Sequence, residues 1–429
     1  MRTPSTDLLA ELEVRGLVQD ATDRDALGKR LTEGGVTVYA GFDPTADSLH
    51  VGNLLGLLVL RRFEDAGHRP LALAGGATGM IGDPGGRSEE RNLLDADTLA
   101  ANLVAIKAQI GRFLDVGDGP RDARLLDNLT WTEPLGVLEF LRDVGKYVTV
   151  NQMVAKESVK ARLASDNGIS FTEFSYMLLQ ANDYLWLAEH EGCELQVGGS
   201  DQWGNITAGI DLIRRRTGRS AHGLTWPLLA RSDGVKMGKS QSGALWLSAE
   251  RTSPYAFFQW WMHVPDLDVE RFLLGFTLLP VEECRAIVAQ HRADSARRTG
   301  QRHLAREVTG LVHGDQQAAA AEAASVVLFG GSVLEADPTT LATVAGEIPN
   351  MVVTSAQLAA GIDMAEVLVV TGLARSRSEA RRTIQQGGAS VNDERAPVGR
   401  TLVPADLLAG GYTLVRKGKR DFAMLMTAR

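Results

Sequence analysis

The sequence predicts an α/β protein: a doubly wound Rossmann-like domain, then an α-helical domain, then a small α+β domain. Three observations predict it. A strand–helix–strand pattern with short links stands near the start and begins again near residue 195, as parallel βαβ units do. Residues 254–330 carry apolar stripes at helical spacing, with acids and arginines around them. Residues 350–429 return to short helix and strand signals after a stretch punctuated by Gly and Pro.

Residues 36–41, VTVYAG, read as a buried strand, and Asp43-Pro44-Thr45 begins a loop. From Val51 to Ala66 the apolar positions fall at helical spacing, and Gly67 is a fitting stop. A second strand, LALA at 71–74, ends in GGATGMIGDPGG. LQVGG at 195–199 leads into a helix starting near Asp201. These give a catalytic-type domain over 1–227, with ligands expected at the carboxyl ends of its strands. Residues 228–253 read as a mobile linker and 254–330 as the helical domain. There Phe257, Phe258, Trp260 and Trp261 could stack bases, but a helix-bundle core is the favoured reading. Residues 331–349 read as a second linker. The tail, 350–429, has a helix in SRSEARRTIQQ, a strand in ASVN and a hairpin in YTLVRKGKRDFAML.

Of the 429 residues 44% are hydrophobic and 23% charged, as in globular proteins. No run of eighteen apolar residues occurs, so no membrane partner is expected. The start, MRTPSTDLLAELEVRG, lacks the apolar stretch of a signal peptide. Cys193 and Cys284 lie far apart without metal-type spacing, which argues against a disulfide or a protein-bound metal and for a cytoplasmic location. The net charge of -8 is uneven: residues 350–429 hold eleven Lys/Arg and seven Asp/Glu, hence +4, which leaves -12 for the rest. A basic module on an acidic body suits a local polyanion contact, although a solvated surface explains the charge equally well.

Three constellations carry chemistry. His50-Val51-Gly52-Asn53 stands at a helix start, where unpaired backbone N–H groups favour anions and Gly52 allows close approach. Lys236-Met237-Gly238-Lys239-Ser240 puts two ammonium groups on a glycine-containing loop that can close over a polyphosphate. Ser170 and Glu173 form an S-x-x-E capping box before an apolar helix. On that helix Tyr176, Gln180 and Asp183 make a polar stripe at i, i+4 and i+7. Buried polar stripes are costly unless paired, by neighbouring strands or by a ligand.

HVGN followed some 180 residues later by KMGKS resembles the HIGH and KMSKS pair of class I aminoacyl-tRNA synthetases. YAGFDPTADSLHVGN, GGATGMIGDP, ISFTEFSYMLLQANDY and GGSDQWGN narrow the resemblance to the bacterial-type tyrosyl-tRNA synthetases, over essentially the whole chain. The resemblance implies activation of L-tyrosine with ATP and Mg²⁺, then transfer to tRNA(Tyr). It implies that Tyr176, Gln180 and Asp83 hold the substrate ammonium, and Tyr39 and Asp183 its phenol. Thr45, His50, Lys236, Lys239, Arg87 and Arg91 would act on the polyphosphate, with Ser240 closing the lysine motif. Asn53 and Asp201 would lie near the ribose, Gln202 near the α-phosphate and Asp43 near the adenylate. Asn53 replaces the second HIGH histidine, and its amide can still donate. Ala40 and Gly56 stand where some relatives have a ribose-binding cysteine and a threonine.

The tail resembles an RNA-binding fold shared with a small-subunit ribosomal protein and pseudouridine synthases. There a second capping box, Ser376 with Glu379, would expose Arg377, Arg381 and Arg382 on a helix, and Arg416, Lys417, Lys419 and Arg420 gather at a hairpin. Lys146, Lys156, Lys160 and the run Arg214-Arg215-Arg216 are further candidates for the acceptor stem, although a solvated face explains them equally well. The resemblance also implies a homodimer through the segment near Leu135–Met153. The rivals are a tryptophanyl-tRNA synthetase, a non-catalytic RNA-binding relative and a small-molecule nucleotidyltransferase.

Overall fold

The structure is a computed structural model that describes residues 7–84, 94–164, 168–228, 230, 232, 239–240 and 243–428, with Lys239 and Ser240 described by backbone alone. Arg87, Arg91 and Lys236 lie outside these residues.

The chain forms two compact units, one of residues 1–252 and 264–300, the other of 253–263 and 301–429. The first unit is built on a six-stranded sheet. Its strands are β1 (Asp20–Ala21), β2 (Thr37–Phe42), β3 (Arg69–Ala74), β4 (Arg124–Asp127), β5 (Leu195–Gly199) and β6 (His222–Trp226), in the order β1-β6-β5-β2-β3-β4. All neighbours are parallel except β1 on β6. β2, β3 and β4 add outward in sequence, and the chain then returns to the other side of β2 with β5. The strand order therefore reverses between β2 and β5, and a crevice opens outside their carboxyl ends.

Helix α1 (Val51–Asp65) follows β2 and buries Leu54, Leu55, Leu57, Leu58 and Phe63 against the sheet, while its first turn faces the crevice. Helix α2 (Phe171–His190) starts at Ser170, whose side chain caps the Glu173 N–H. The expected reciprocal bond from Glu173 is replaced by a buried ion pair with Arg162 at 2.8 Å. A guanidinium is the better partner for a carboxylate that is 1% exposed. Helix α3 (Trp203–Thr217) follows β5 and packs along α2.

Only part of the 228–253 stretch matches the expectation of a free linker. Lys239–Ser240 pairs antiparallel with Gly243–Ala244. Beyond it the Val51 N–H donates to the Leu245 carbonyl at 2.9 Å, and the Leu247 N–H to Leu49 at 2.8 Å. The N-terminus of α1 has unpaired N–H groups, and this strand-like segment satisfies one of them.

In the second unit Phe257, Phe258, Trp260 and Trp261 are all buried, so they form core. The five-stranded tail sheet contains Asn350–Val353, Ala389–Val391, Glu394–Arg395, Tyr412–Lys417 and Asp421–Thr427. The expected linker at 331–349 instead carries helix α4 (Pro338–Glu347), capped by Asp337. Leu341 and Val344 of α4 share one apolar cluster with Ala324 and Val327 and with Leu414, Phe422 and Met424 of the tail sheet. The helical and tail segments therefore share a core.

Candidate active site

A cavity of about 380 Å³ lies at the switch between β2 and β5. Its lining brings together Tyr39, Asp43, His50, Asn53, Asp83, Tyr176, Gln180, Asp183, Asp201 and Gln202, all singled out by the sequence. Thr45 is exposed two residues beyond Asp43 and is not among the lining residues.

At the deep end Tyr39 is 1% exposed, and its hydroxyl has no hydrogen-bond partner among the described residues. Burial first, then the Asp183 charge, holds this phenol well above its ordinary pKa, so it stays neutral. Asp183 accepts from Trp131 Nε1 at 2.8 Å and from Asn128 Nδ2 at 2.9 Å. Burial pushes its carboxyl up to about 7, against the pull of those two donors. Gln196 faces Tyr39 in strand register, and its Oε1 is also buried without a partner among the described residues. Unpaired buried polar atoms on adjacent strands are expensive unless a polar ligand pairs them.

In the middle of the cavity the Tyr176 hydroxyl donates to Asp43 Oδ2 at 2.9 Å, and Thr78 donates to Asp43 Oδ1 at 2.8 Å. With its proton committed, the Tyr176 oxygen is left as an acceptor. Gln180 Oε1 and the Asp83 carboxylate add further acceptors, so this region suits a cation.

At the mouth His50 caps α1, accepting from the Gly52 N–H on Nδ1 at 3.0 Å, while Asn53 Oδ1 accepts from the His50 N–H at 3.1 Å. The bond to Nδ1 puts the ring proton of the neutral imidazole on Nε2, and burial lowers the pKa and favours that neutral form. Asn53 keeps its amide N–H₂ as a donor. Helix dipole, Nε2–H and amide together favour an anion here. A neutral ligand edge at the deep end, a cation in the middle and an anion at the mouth are the features of one elongated site.

The sequence missed Asn128, Trp131, Thr78 and Gln196, because each works by holding or facing another residue rather than through a motif. Lys156 is corrected outright: its side chain is 7% exposed and points inward to Asp83, so it does not face an RNA surface. In the tail Ser376 caps its helix as expected, but Glu379 reaches the Arg375 N–H and Lys417 rather than closing the box. Lys417 also donates to the Leu373 carbonyl at 2.7 Å, so it is committed inside the domain. Arg377, Arg381, Arg382, Lys419 and Arg420 are exposed, and Arg416 is half-buried.

Among the described residues no cluster of three or more His, Cys, Asp or Glu could hold a metal ion, and no helix is long and apolar enough to cross a membrane.

Comparison with known proteins agrees with this geometry. Residues 31–330 match the family model of class I tRNA synthetases for W and Y, and residues 341–425 match the C-terminal domain of SYY-like tyrosine–tRNA ligases. The tyrosine–tRNA ligase of Opitutus terrae is 53% identical over 97% of this chain and 99% of its own. That of Roseiflexus castenholzii is 49% identical over 98% and 99%. The C-terminally truncated mitochondrial tyrosyl-tRNA synthetase of Aspergillus nidulans superposes with a TM-score of 0.69 at 34% identity, covering 76% of this chain and 95% of that one. The chain belongs to the class I tRNA synthetases, and within them to the tyrosine–tRNA ligase family.

Proposed function

We propose that the chain activates L-tyrosine with ATP·Mg²⁺ to tyrosyl-adenylate and pyrophosphate, then transfers tyrosine to the 3′ end of tRNA(Tyr). The observation that carries the choice of amino acid is the Tyr39 hydroxyl, buried in the same cavity as the Asp183 carboxylate without a partner among the described residues. A phenol O–H donates to Asp183 and accepts from Tyr39, and so pairs both. The substrate ammonium then meets Tyr176, Gln180 and Asp83, and the α-carboxylate points toward the mouth.

There the carboxylate attacks the α-phosphate in line. No side chain forms a covalent intermediate, so alignment and charge stabilisation supply the rate. His50 Nε2–H, Lys236, Lys239, Ser240, Thr45, Arg87 and Arg91 are the proposed partners of the phosphates. Asp43, Asn53, Asp201 and Gln202 are those of the ribose and α-phosphate. Mg²⁺ travels on ATP as part of the substrate. ATP–pyrophosphate exchange with tyrosine, tryptophan and phenylalanine in turn tests the reading. Exchange dependent on tyrosine supports it, tryptophan dependence replaces it with the sister specificity, and no exchange leaves a non-catalytic relative.

Gly52 gives a local check. A Cβ there would stand 2.8 Å from His50 Cε1 and 3.0 Å from Nδ1, so the ring must move. Gly52→Ala is expected to lower kcat/KM for exchange about tenfold while tyrosine affinity, measured by equilibrium dialysis, is kept.

The acting form is proposed to be a homodimer in the cytoplasm. Helix Val137–Asp143 buries none of its residues, yet it carries Val137 at 73%, Leu138 at 82% and Leu141 at 49% exposure. Val150, seven residues beyond Asp143, is also exposed, at 63%. Phe140 packs against the core, but the exposed apolar side of this short helix is left open, and a second copy would cover it. Leu138→Asp is expected to reduce the mass seen by sedimentation from two chains to one. Both cysteines are buried free thiols, which suits a reducing compartment.

A further inference from the structure

Lys156 stands between two short helices, Val150–Ala155 and Glu157–Leu163, and its buried ammonium lies 2.8 Å from Asn205 Oδ1 and 3.4 Å from Asp83 Oδ1. An ammonium has three donors and no acceptor. It therefore dictates the orientation of the Asn205 amide, because the flipped amide would set donor against donor. With its oxygen on Lys156, Asn205 points Nδ2 at Gln180 Oε1 (2.9 Å), Gln202 Oε1 (3.0 Å) and Asp83 Oδ2 (3.3 Å). Gln202 in turn gives Nε2 to Asp83 Oδ2 at 2.9 Å. One donor-only group thus fixes the polarity of a chain of amides that ends on Asp83 and Gln180. Asp83 and Gln180 stand at the end of this chain as acceptors lining the cavity, where an incoming ammonium would meet them.

We propose that Lys156 is a positioning residue of the amino-acid site, acting through Asn205 and Asp83 to aim the acceptors that hold the substrate ammonium. It does not line the cavity. The proposal rests on the reading of tyrosine as substrate with its ammonium at the Asp83 end. Without Lys156 the Asn205 amide is free to flip, and the buried Asp83 loses the cation beside it. The ligand that suffers is then the one carrying an ammonium.

The test is binding of two ligands to the full-length protein: L-tyrosine and 3-(4-hydroxyphenyl)propionate, which lacks the amino group. Lys156→Met is expected to raise Kd and KM for tyrosine about tenfold or more, with kcat for exchange at saturating tyrosine within about threefold. Affinity for the des-amino ligand is expected to stay within about twofold of the wild type. Lys156→Arg, which keeps a donor-only cation, is expected to recover much of the loss. Lys156→Gln, neutral but polar, serves if the methionine variant does not fold, and is expected to show the same selective loss. Equal loss of both ligands in a folded variant would make Lys156 merely structural and overturn the proposal. Unchanged tyrosine affinity would overturn it too. A wild type that binds no tyrosine would instead sink the functional reading, and this proposal with it.

Discussion

Asp183→Asn is expected to cut the preference for tyrosine over phenylalanine in adenylate formation by about 10-fold to 100-fold, the value of one hydrogen bond to a buried charge. Absolute kcat/KM for tyrosine should fall further, by about 10²-fold to 10³-fold, because the substitution also disturbs the free site. Trp131 Nε1 and Asn128 Nδ2 both donate to the Asp183 oxygens. An asparagine has one acceptor oxygen, so its amide N–H₂ must oppose one of these donors or turn toward the phenol. Tyr39→Phe removes only a neutral hydroxyl and should cost about 1 kcal/mol of the same preference. Kinetics with both amino acids in each variant check the assignment. Full discrimination in both variants would place the phenol elsewhere.

The same carboxylate sets a pH dependence. Burial pushes Asp183 up to about 7, so as pH falls through that value the group takes a proton and the charged acceptor is lost. Tyrosine affinity and the tyrosine-to-phenylalanine ratio should both decline from pH 8 toward pH 6, whereas phenylalanine should follow the change weakly. The stability linkage runs the other way. A carboxyl whose folded pKa lies above its unfolded value binds its proton more tightly when folded. Its contribution therefore falls as pH rises from the ordinary carboxyl value of 3.8 toward about 7. Asp183→Asn should flatten that part of the stability profile.

The residues legible in the sequence were those at strand ends and helix starts. Tyr39 lies within β2 and Asp43 just follows it, His50 and Asn53 begin α1, and Asp201 and Gln202 follow β5. Turn and cap chemistry marks these places, and the doubly wound topology gathers them at one crevice. The stripe on α2 was legible from its period. Asn128, Trp131, Asn205 and Lys156 were not, because their roles are bonds to residues distant in sequence, and no local pattern encodes such a bond. The misread linker at 331–349 has a plainer cause. Gly and Pro there read as breaks, yet Asp337-Pro338 is a cap followed by proline in the first turn, which is how helices start. Glu173 and Glu379 match the capping-box spacing, but Glu173 turns to Arg162, and Glu379 to Lys417 and the Arg375 N–H, instead of the N-cap N–H.

That shared core changes how the tail has to be tested. Deleting residues 350–429 would strip Leu414, Phe422 and Met424 from Ala324, Val327, Leu341 and Val344, so any loss of charging would mix unfolding with loss of RNA contact. Charge reversal avoids this. Arg381, Arg382, Lys419 and Arg420 are exposed. Arg381 does pair with Asp363 at 3.6 Å, but exposed pairs of this kind contribute little to stability. Lys417 must be left alone, since it ties Glu379 and the Leu373 carbonyl together. Changing the four exposed cations to Glu is expected to lower kcat/KM for tRNA charging about 10²-fold, with tyrosine-dependent pyrophosphate exchange kept within about twofold. The loss should be general rather than tied to one base, because phosphate contacts position RNA without reading it. The salt dependence of tRNA binding should also become shallower, by about 0.7 in log–log slope for each contact removed from a single strand. A reversal that left charging and its salt dependence intact would show that these cations are solvated surface. One that lowered exchange and charging together would mean the tail acts on the catalytic unit through structure.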